Sequence, residues 1–258
     1  MTRNPTFAGC IPDAGQRAAE ADIDEIVQAT RTACRELLRP DGRGRTWMDP
    51  DATHTILAMI AIQGIPVLRI GDLRPERIWL WADLHLRDRA SVPYLHRPFW
   101  HWRTHDRALK RRWRRTVAPA DTVIHAGDLA PESVGEQHRR RMLDRLPGRK
   151  INVLGNHDVA ALHASLTDGW DETHGAVVIA SDPPLVITHC PLRTVPAGAV
   201  NVHGHIHERR DRRLDPRINV AVNRTGYHPV SAAALIKEAA RRLAGATPVP
   251  LDTYRERP

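Results

Sequence analysis

Side chains of the types that commonly bind metal ions follow several short apolar runs along this chain. They comprise two carboxylates, one carboxamide and four imidazoles: Asp83, His85, Asp128, Asn156, His189, His205 and His207. This mixed nitrogen and oxygen set, which contains no thiolate, suits borderline divalent ions such as Mn²⁺, Fe²⁺ or Zn²⁺ and not Ca²⁺. Seven ligands exceed one tetrahedral site, whereas two ions that share a bridging carboxylate would use them all and leave room for water.

Two ions in that arrangement support one kind of chemistry in particular. A water bound by two cations has its pKa lowered from about 15.7 toward neutrality, and it becomes a nucleophile at neutral pH. The same cations neutralise charge in the transition state. We therefore expect hydrolysis without a covalent enzyme intermediate.

The elements that position these residues are short, nearly continuous apolar runs that alternate with helical stretches. The runs are IWLWA, TVIHA, INVL, AVVIA, LVITH, VNVH and INVAV, and the helices are predicted at 132–146 and 231–243. This pattern predicts an α/β fold whose strands are covered on both faces. Because ligand sites in open α/β sheets lie beyond the carboxyl ends of the strands, the polar residues are expected to meet at one rim.

The ordered motifs resemble a known family. DLH (83–85), GD (127–128), GNHD (155–158), TH (188–189) and GHIH (204–207) together resemble the signature of calcineurin-like metallophosphoesterases, and HRPFWHW and INVAVNRTGYHPVS resemble a branch of small bacterial and phage phosphoesterases. The resemblance spans about residues 78–240. It implies a sandwich of two mixed β-sheets flanked by helices, with a dinuclear metal site at the strand ends.

The resemblance also implies roles for single residues. Asp83, His85, Asp128 and His207 would hold the first ion, with Asp128 bridging, and Asn156, His189 and His205 would complete the second. His157 would be catalytic, either by contacting the phosphoryl oxygens or by protonating the leaving oxygen, with Asp158 orienting its ring. Mn²⁺ is the ion that we expect first, with Fe²⁺, Zn²⁺ or Ni²⁺ as alternatives.

Some residues near the motifs have a structural interpretation or depart from the family pattern. His125 and His203 precede motif glycines, and packing in the sheet is favoured for both. Arg87 and Asp88 stand where relatives commonly carry a Gly-His pair, and Asn223 stands where an aspartate is frequent. None of these departures changes a predicted metal ligand.

The domain organisation follows from where the motifs begin. Residues 1–75 carry no catalytic pattern and are predicted to form a helical appendage of unknown role, with helices at 16–38 and 52–62 joined by a loop rich in proline, glycine and charge. The catalytic domain is predicted at 76–245 and a C-terminal tail at 246–258.

Composition limits the classes of protein and partner. The formal charge is +8, carried mainly by arginine, and Cys10, Cys34 and Cys190 form no disulfide pattern. No membrane span or signal peptide is evident, so a cytoplasmic protein without a membrane partner is expected. The basic segment 101–116 is compatible with nucleic-acid binding, but also with a helix whose tryptophans pack on the sheet and whose arginines are solvated.

Together these features predict a phosphodiesterase that uses a metal-bridging hydroxide with assistance from His157. A nuclease that acts on DNA or RNA and a phosphomonoesterase are the alternatives, because the metal ligands serve all three activities. A non-catalytic scaffold is disfavoured because the ligands are all present. The physiological substrate and the oligomeric state are not predicted.

Overall fold

The computed structural model describes residues 14–37, 60–70, 73–160, 169–208 and 216–254. The strands are β1 (Val67–Arg69), β2 (Ile78–Trp81), β3 (Thr122–His125), β4 (Arg149–Val153), β5 (Glu172–His174), β6 (Val177–Ala180), β7 (Leu185–Ile187), β8 (Val200–His203), β9 (Arg217–Asn219) and β10 (Val230–Ser231). The α-helices are α1 (Ala14–Glu36), α2 (Ser91–Tyr94), α3 (Trp102–Thr116), α4 (Glu136–Leu143), α5 (Asn156–Ala160) and α6 (Ala232–Leu243). Residues 60–63 are also helical.

The strands form two mixed sheets. The first sheet has the order β10-β2-β3-β4-β5 and is parallel except for β10, whereas the second has the order β1-β6-β7-β8-β9 and is parallel except where β6 meets β7. In the first sheet Leu80 is paired with Ile124, and Ile124 with Ile151. The prediction of two mixed sheets flanked by helices is confirmed.

The apolar runs are continuous because central strands such as β2, β3, β7 and β8 are buried on both faces. Neighbouring residues of a strand point to opposite faces of its sheet. In β2, Leu80 faces the second sheet within the central core, whereas Trp79 and Trp81 face outward against Leu109 and Trp113 of α3. The rings of Trp81 and Trp113 meet edge to face with centroids 5.4 Å apart, so α3 is fixed to the first sheet.

The N-terminal helix forms the outer layer of the second sheet. Ile26 and Cys34 of α1 lie in one apolar cluster with Val178 of β6 and Val186 of β7. Strand β1 is itself a member of that sheet, because Leu68 is paired with Ile179 of β6. The structure thus differs from the predicted boundary at residue 75, since an amphipathic pattern shows that a helix has a buried face without showing what covers it.

The other predicted boundaries agree to different degrees. Leu251, in the segment predicted as a tail, packs in the central core. Helix α3 begins after His101 and α6 after Ser231, close to their predicted starts, whereas α4 is shorter than the predicted helix 132–146. The predicted loop after residue 38 and residues 52–59 of the second predicted helix lie outside the described residues.

None of the helices in the described ranges is both long and apolar enough to cross a membrane.

Asp121 joins the first sheet to the end of α3. Its carboxylate accepts hydrogen bonds from Arg77 Nε at 2.8 Å, from Trp79 Nε1 at 3.0 Å and from the N–H of Ala118 at 2.9 Å. Burial raises the pKa of Asp121, but the hydrogen bonds from Ala118, Arg77 and Trp79 outweigh this effect and lower the pKa below its usual value. The ionised carboxylate therefore stabilises the fold.

We expect Asp121→Asn to lower the free energy of unfolding by about 1–3 kcal/mol at pH 7, because an amide cannot accept all three bonds. The pKa of Asp121 is depressed in the folded state, so its contribution is complete above the unfolded-state pKa of about 3.9 and is lost as the pH falls through the folded-state value. Denaturant unfolding from pH 7 into the acid range should show the difference between wild type and variant shrinking. Asp144→Asn, at an exposed position, is the control, and a difference that does not change with pH would contradict the assignment.

Candidate metal centre

The candidate ligands of the first sheet follow three neighbouring strands. Asp83 lies after β2, Asp128 after β3 and Asn156 after β4, and these strands are parallel neighbours. Parallel strands bring their carboxyl ends to one edge of the sheet, so the three side chains are brought together as predicted.

The ligands of the second sheet arrive at the same place. His189 lies after β7, and His205 and His207 after β8. The two sheets meet here, because Ala82 forms an isolated parallel bridge with Ala221 and its N–H donates to Val220 O at 3.0 Å. The site therefore lies at the junction of both sheets.

Backbone hydrogen bonds between β2 and β3 continue into the loops that follow these strands. The N–H of Asp83 donates to Gly127 O at 2.9 Å, and the N–H of His85 donates to Asp128 O at 3.1 Å. These bonds hold the loop after β2 against the loop after β3. As a result the first two motifs keep a fixed position relative to each other.

Five candidate ligands have backbone in the left-handed region. The φ angles are 58° at Asp83, 46° at His85, 63° at Asp128, 69° at His205 and 51° at His207. Such conformations cost of order 1–3 kcal/mol each in residues other than glycine, and they concentrate at functional sites. The turns direct the side chains into the site at this cost.

One group of ligands surrounds Asp83. The ligand atoms of Asp83, His85 and His207 lie within 4.8 Å of one another. His85 Nε2 is 4.0 Å and His207 Nδ1 is 3.7 Å from Asp83 Oδ1. Both ring nitrogens of His85, and Nδ1 of His207, are buried and make no hydrogen bond within the described structure. Buried polar atoms that face a carboxylate at such distances fit a shared cation.

A second group of ligands surrounds Asp128. His189 Nε2 lies 3.3 Å from Asp128 Oδ2 and 3.0 Å from Asn156 Oδ1, and His205 Nδ1 lies 3.1 Å from the same amide oxygen. Asp128 is also 3.9 Å from His85 Nε2. It therefore lies between the two groups, where a bridging carboxylate would be needed.

The electrostatics of the site call for added positive charge. Asp83 is fully buried and Asp128 is 2% exposed. Burial lowers the pKa of His189, but the charge of Asp128 and a hydrogen bond that His189 donates to it raise that pKa to about 10, with a further contribution from Asp83. The residues present thus fit divalent cations.

Two motif glycines allow the loops to approach the carboxylates. A Cβ atom at Gly155 would collide with Asp128 Oδ1, and one at Gly204 would collide with Asp83 Oδ2. Any other residue at either position would displace a carboxylate oxygen. This explains why glycine precedes the polar residues in GNHD and GHIH.

His157 lies beside the two groups and is held by a residue that sequence reasoning missed. Its ring is 5.1 Å from that of His85, and its Nδ1 lies 3.0 Å from Glu132 Oε2. Burial lowers the pKa of His157, but Asp128 and Glu132 outweigh burial and raise it. Bound cations would offset the contribution of Asp128, which leaves Glu132 as the group that favours the protonated ring. Its position four residues after Asp128 was the only signal in the sequence.

Distance alone does not separate His157 from the ligands, because its ligand atom also lies within 4.8 Å of those of His85 and Asp128. The hydrogen bond from Nδ1 to Glu132 leaves Nε2 for other partners, and the side chain of His157 is 35% exposed. Its open position favours contact with a substrate.

Asp158 has different partners from those predicted. It was expected to orient the ring of His157, but its Oδ2 accepts the N–H groups of Asp128 at 2.8 Å and Gly155 at 3.0 Å, and its Oδ1 lies 3.3 Å from Arg139 Nη1. Asp158 is fully buried and follows Asn156, so its side chain points beneath the loops instead of toward the ring. Asp158 therefore positions the backbone of the loops that carry Asp128 and Asn156.

Arg139 is a second residue that sequence reasoning missed. Its fully buried guanidinium donates to Ala130 O at 2.8 Å, Pro131 O at 3.1 Å and Val134 O at 3.0 Å as well as to Asp158. It holds the loop that carries Glu132. The available signal was its spacing, three and four residues before the buried Met142 and Leu143 on the same face of α4.

Another network supports the turn that follows β2. Arg97 donates to Asp83 O at 2.7 Å and to Leu84 O at 3.0 Å, and it contacts His105 Nε2 at 2.9 Å. Burial lowers the pKa of His105, which favours the neutral ring. Asp106, beside His105 on α3, accepts the N–H of Arg87 at 2.9 Å. The network ties the ligand turn to α3.

The remaining residues singled out in the sequence lie around the centre. His125 is fully buried, bonds Asn152 Oδ1 at 3.2 Å and stacks on Trp170, and His203 is also fully buried, with Nδ1 at 2.8 Å from Gly204 O. Neither belongs to the ligand groups. Asp88, one of the departures from the family pattern, lies close to a candidate ligand, because its Oδ2 is 3.5 Å from His85 Nδ1.

We expect Asp158→Asn to lower the free energy of unfolding by about 3–5 kcal/mol, because the change breaks the buried ion pair between Asp158 and Arg139. Denaturant unfolding measures the loss. The control is Asp171→Asn, an exposed aspartate that also accepts a backbone N–H, that of Lys150 at 2.7 Å. Equal losses in the two variants would show that the Arg139–Asp158 pair does not hold these loops.

Comparisons with known proteins agree with the arrangement. Residues 76–186 match the sequence profile of the family described as "Calcineurin-like phosphoesterase". The matched range contains Asp83, His85, Asp128 and Asn156, and it ends before His189, His205 and His207, which the structure brings to the same site.

Individual relatives are distant. An uncharacterized protein of Methanocaldococcus jannaschii is 25% identical over 170 residues, which is 63% of this chain and 90% of that protein. The Gene 66 protein of Mycobacterium phage L5 is 32% identical over 81 residues, 31% of this chain and 39% of that protein. The crystal structure of a protein of unknown function from Aquifex aeolicus shares the fold, with a TM-score of 0.52 and 22% identity over 62% of this chain and 97% of that one.

The family implies metal-dependent hydrolysis of phosphoesters with divalent ions, and the ligand groups described above can hold such ions. Residues 76–186 of this chain are therefore similar to the calcineurin-like phosphoesterase family, both in their sequence match and in the geometry of the ligand groups.

Proposed function

We propose that the chain is a phosphodiesterase that acts with two divalent transition-metal ions. The observation that carries the proposal is the position of Asp128, which lies between two groups of ligands and within 4 Å of His85 on one side and His189 on the other. Shared carboxylates of this kind are found in two-metal hydrolases.

The ligands divide between the two ions as the family resemblance implies, and Asp83 also lies close to Asp128 and His189. Asp83, His85 and His207 would hold one ion, Asn156, His189 and His205 the other, and Asp128 both. The mixed imidazole and oxygen set favours Mn²⁺, with Fe²⁺, Zn²⁺ and Ni²⁺ as alternatives. When bound, the ions supply positive charge for the phosphoryl oxygens and lower the pKa of the attacking water.

His157 acts on the substrate from the open side of the centre. Glu132 accepts the hydrogen bond from Nδ1, so the N–H of Nε2 can be directed at the substrate. From there it donates either to a phosphoryl oxygen or to the leaving oxygen. Both roles require the same ring orientation, which makes Glu132 a positioning residue.

The shape of the site supports a diester. The side chains of His157 and His207 are 35% and 22% exposed. A cavity of about 210 Å³ is lined by Arg87, two residues after His85, and by Ser133, which directly follows Glu132. A diester carries an organic group on each side of phosphorus, and this cavity offers room for the second group.

The proposal is tested with the purified chain loaded with Mn²⁺. We expect it to hydrolyse bis(p-nitrophenyl) phosphate faster than p-nitrophenyl phosphate, and EDTA should abolish both reactions. Faster hydrolysis of the monoester would favour a phosphomonoesterase, and no hydrolysis of either ester would overturn the proposal.

The metal content and two ligand variants test the shared carboxylate. Wild type should retain close to two ions per chain after Mn²⁺ loading and removal of excess metal, as measured by elemental analysis. Asp128→Asn should lose more activity and more metal than His85→Ala, because it removes the anion shared by both ions. A wild-type content of one ion or none, or equal and mild losses in the two variants, would rule out the bridging role.

His157→Ala should keep both ions but lower turnover. If His157 protonates the leaving oxygen, the rate should fall by about 10²–10⁴-fold for an alkyl ester and much less for a nitrophenyl ester, whose leaving group departs without a proton. If it stabilises the phosphoryl oxygens, both esters should suffer alike. His174→Ala, on β5, is the matched control, and loss of metal in His157→Ala would show that His157 is a ligand.

A further inference from the structure

Three adjoining cavities form one surface groove beside the metal centre. A cavity of about 740 Å³ shares Arg89 and Trp102 with the cavity of about 210 Å³, and that one shares Arg87 and His138 with a third of about 320 Å³. We call the continuous surface formed by these three cavities the basic groove. It runs from α2 and the start of α3, past the loop before α4, to the space between α3 and α4.

The side chains of the basic groove are strongly cationic. The exposed or partly exposed side chains of positive charge that line it are Arg87, Arg89, Arg103, Lys110, Arg114, Arg141 and Arg145. None of the lining residues that the structure describes is acidic. The groove is therefore suited to a ligand with several negative charges.

Burial and neighbouring cations both lower the pKa of Lys110. Burial lowers the pKa of Lys110, Asp106 at 4.0 Å raises it, and the charges of Arg87, Arg114 and Arg145 lower it further, so that the pKa falls below its usual value. A polyanion in the groove would relieve this repulsion.

Aromatic side chains accompany the charges at one end. Trp100 lines the largest cavity and is 98% exposed. The ring of Trp102 lies under the guanidinium groups of Arg103, 4.6 Å away, and Arg89, 5.9 Å away. The exposed ring of Trp100 offers a face for stacking, and stacking of bases on such rings needs no particular sequence.

The middle cavity of the basic groove is lined by two residues that are close in sequence to residues of the metal centre. Arg87 lies two residues after His85, and Ser133 directly follows Glu132, which holds the ring of His157. A chain lying in the groove would pass beside the ligand turn and the catalytic histidine. The geometry links a binding surface to the reaction site.

We propose that the basic groove binds a single-stranded polynucleotide and presents one of its phosphodiesters to the metal centre. The inference rests on the proposed phosphodiesterase function and names its substrate class. A single strand exposes the faces of its bases for stacking on Trp100, whereas a duplex hides them, and the arginines along the groove match a backbone with a charge at every nucleotide.

Both interpretations of segment 101–116 hold for different faces of helix α3. Leu109 and Trp113 are fully buried against the first sheet, as the packing interpretation predicts. Arg103 and Arg114 are exposed and line the groove. The helix therefore packs on its apolar face and offers its basic face to a ligand.

Binding is tested apart from hydrolysis, with fluorescently labelled oligothymidylate and the full chain in EDTA. Anisotropy titrations at several salt concentrations should show affinity falling with salt, with a slope of about 0.7 per phosphate contacted. Arg141→Gln/Arg145→Gln should reduce that slope by about 1.4, and Trp100→Ala should weaken binding by at least about five-fold. The matched control is Arg35→Gln/Arg74→Gln, which removes the same charge from exposed positions outside the groove and should bind as wild type does.

The outcomes separate this inference from the proposed function. Equal binding by the groove and control variants, or absence of salt-dependent binding by wild type, would contradict the inference that the groove binds a polynucleotide. Tighter binding of a duplex of the same length would contradict the inference that the bound polynucleotide is single-stranded. Hydrolysis of bis(p-nitrophenyl) phosphate by the Mn²⁺-loaded wild type is measured in parallel. If that reaction succeeds while oligothymidylate does not bind, the inference fails alone, and if binding occurs without hydrolysis, the phosphodiesterase function fails.

Discussion

The structure depends on two carboxylates, Asp83 and Asp128, that are buried together where the two sheets meet. Placing two like charges out of water costs several kcal/mol unless opposite charge is brought to them. Among the described residues, the N–H groups of His205 and His157 donate to their oxygens. The imidazole of His189 lies 3.3 Å from Asp128 Oδ2, and those of His85 and His207 lie 3.7–4.0 Å from the two carboxylates. These contacts compensate the charge only in part. The fold is therefore arranged to hold cations, and the left-handed turns at the site are tolerated because the surrounding packing imposes them.

Two buried arginines bind backbone carbonyl oxygens at or shortly after Asp83 and Asp128 in the sequence. Arg97 donates to the carbonyl oxygens of Asp83 and Leu84, and Arg139 donates to those of Ala130 and Pro131. Each guanidinium thus binds the backbone of a loop that carries or follows a carboxylate. If either reached a carboxylate oxygen of Asp83 or Asp128, it would occupy a ligand position. The two guanidinium groups thus stabilise the loops and leave the carboxylate oxygens available to metal ions.

The parts of this site that could be predicted are those written in short stretches of sequence. GNHD and GHIH place ligands after apolar runs, and the sheet order β2-β3-β4 brings Asp83, Asp128 and Asn156 to one edge. Glu132 and Arg139 could not be assigned, because their partners lie 25 and 19 residues away and only the fold brings them together. The role of α1 was missed for a similar reason, since its apolar face is covered by strands more than a hundred residues later.

Helix α3 connects the metal centre with the surface around it. Its buried face, with Leu109 and Trp113, fixes it to the first sheet. Through Asp106, which accepts the N–H of Arg87, and His105, which contacts Arg97, it supports the turn that carries Asp83 and His85. Its exposed face contributes arginines to the basic groove. Because one rigid element both supports the ligand turn and lines the groove, a chain bound along the helix would keep a constant position relative to the metal ions. Such a constant position is what hydrolysis at a chosen phosphodiester requires.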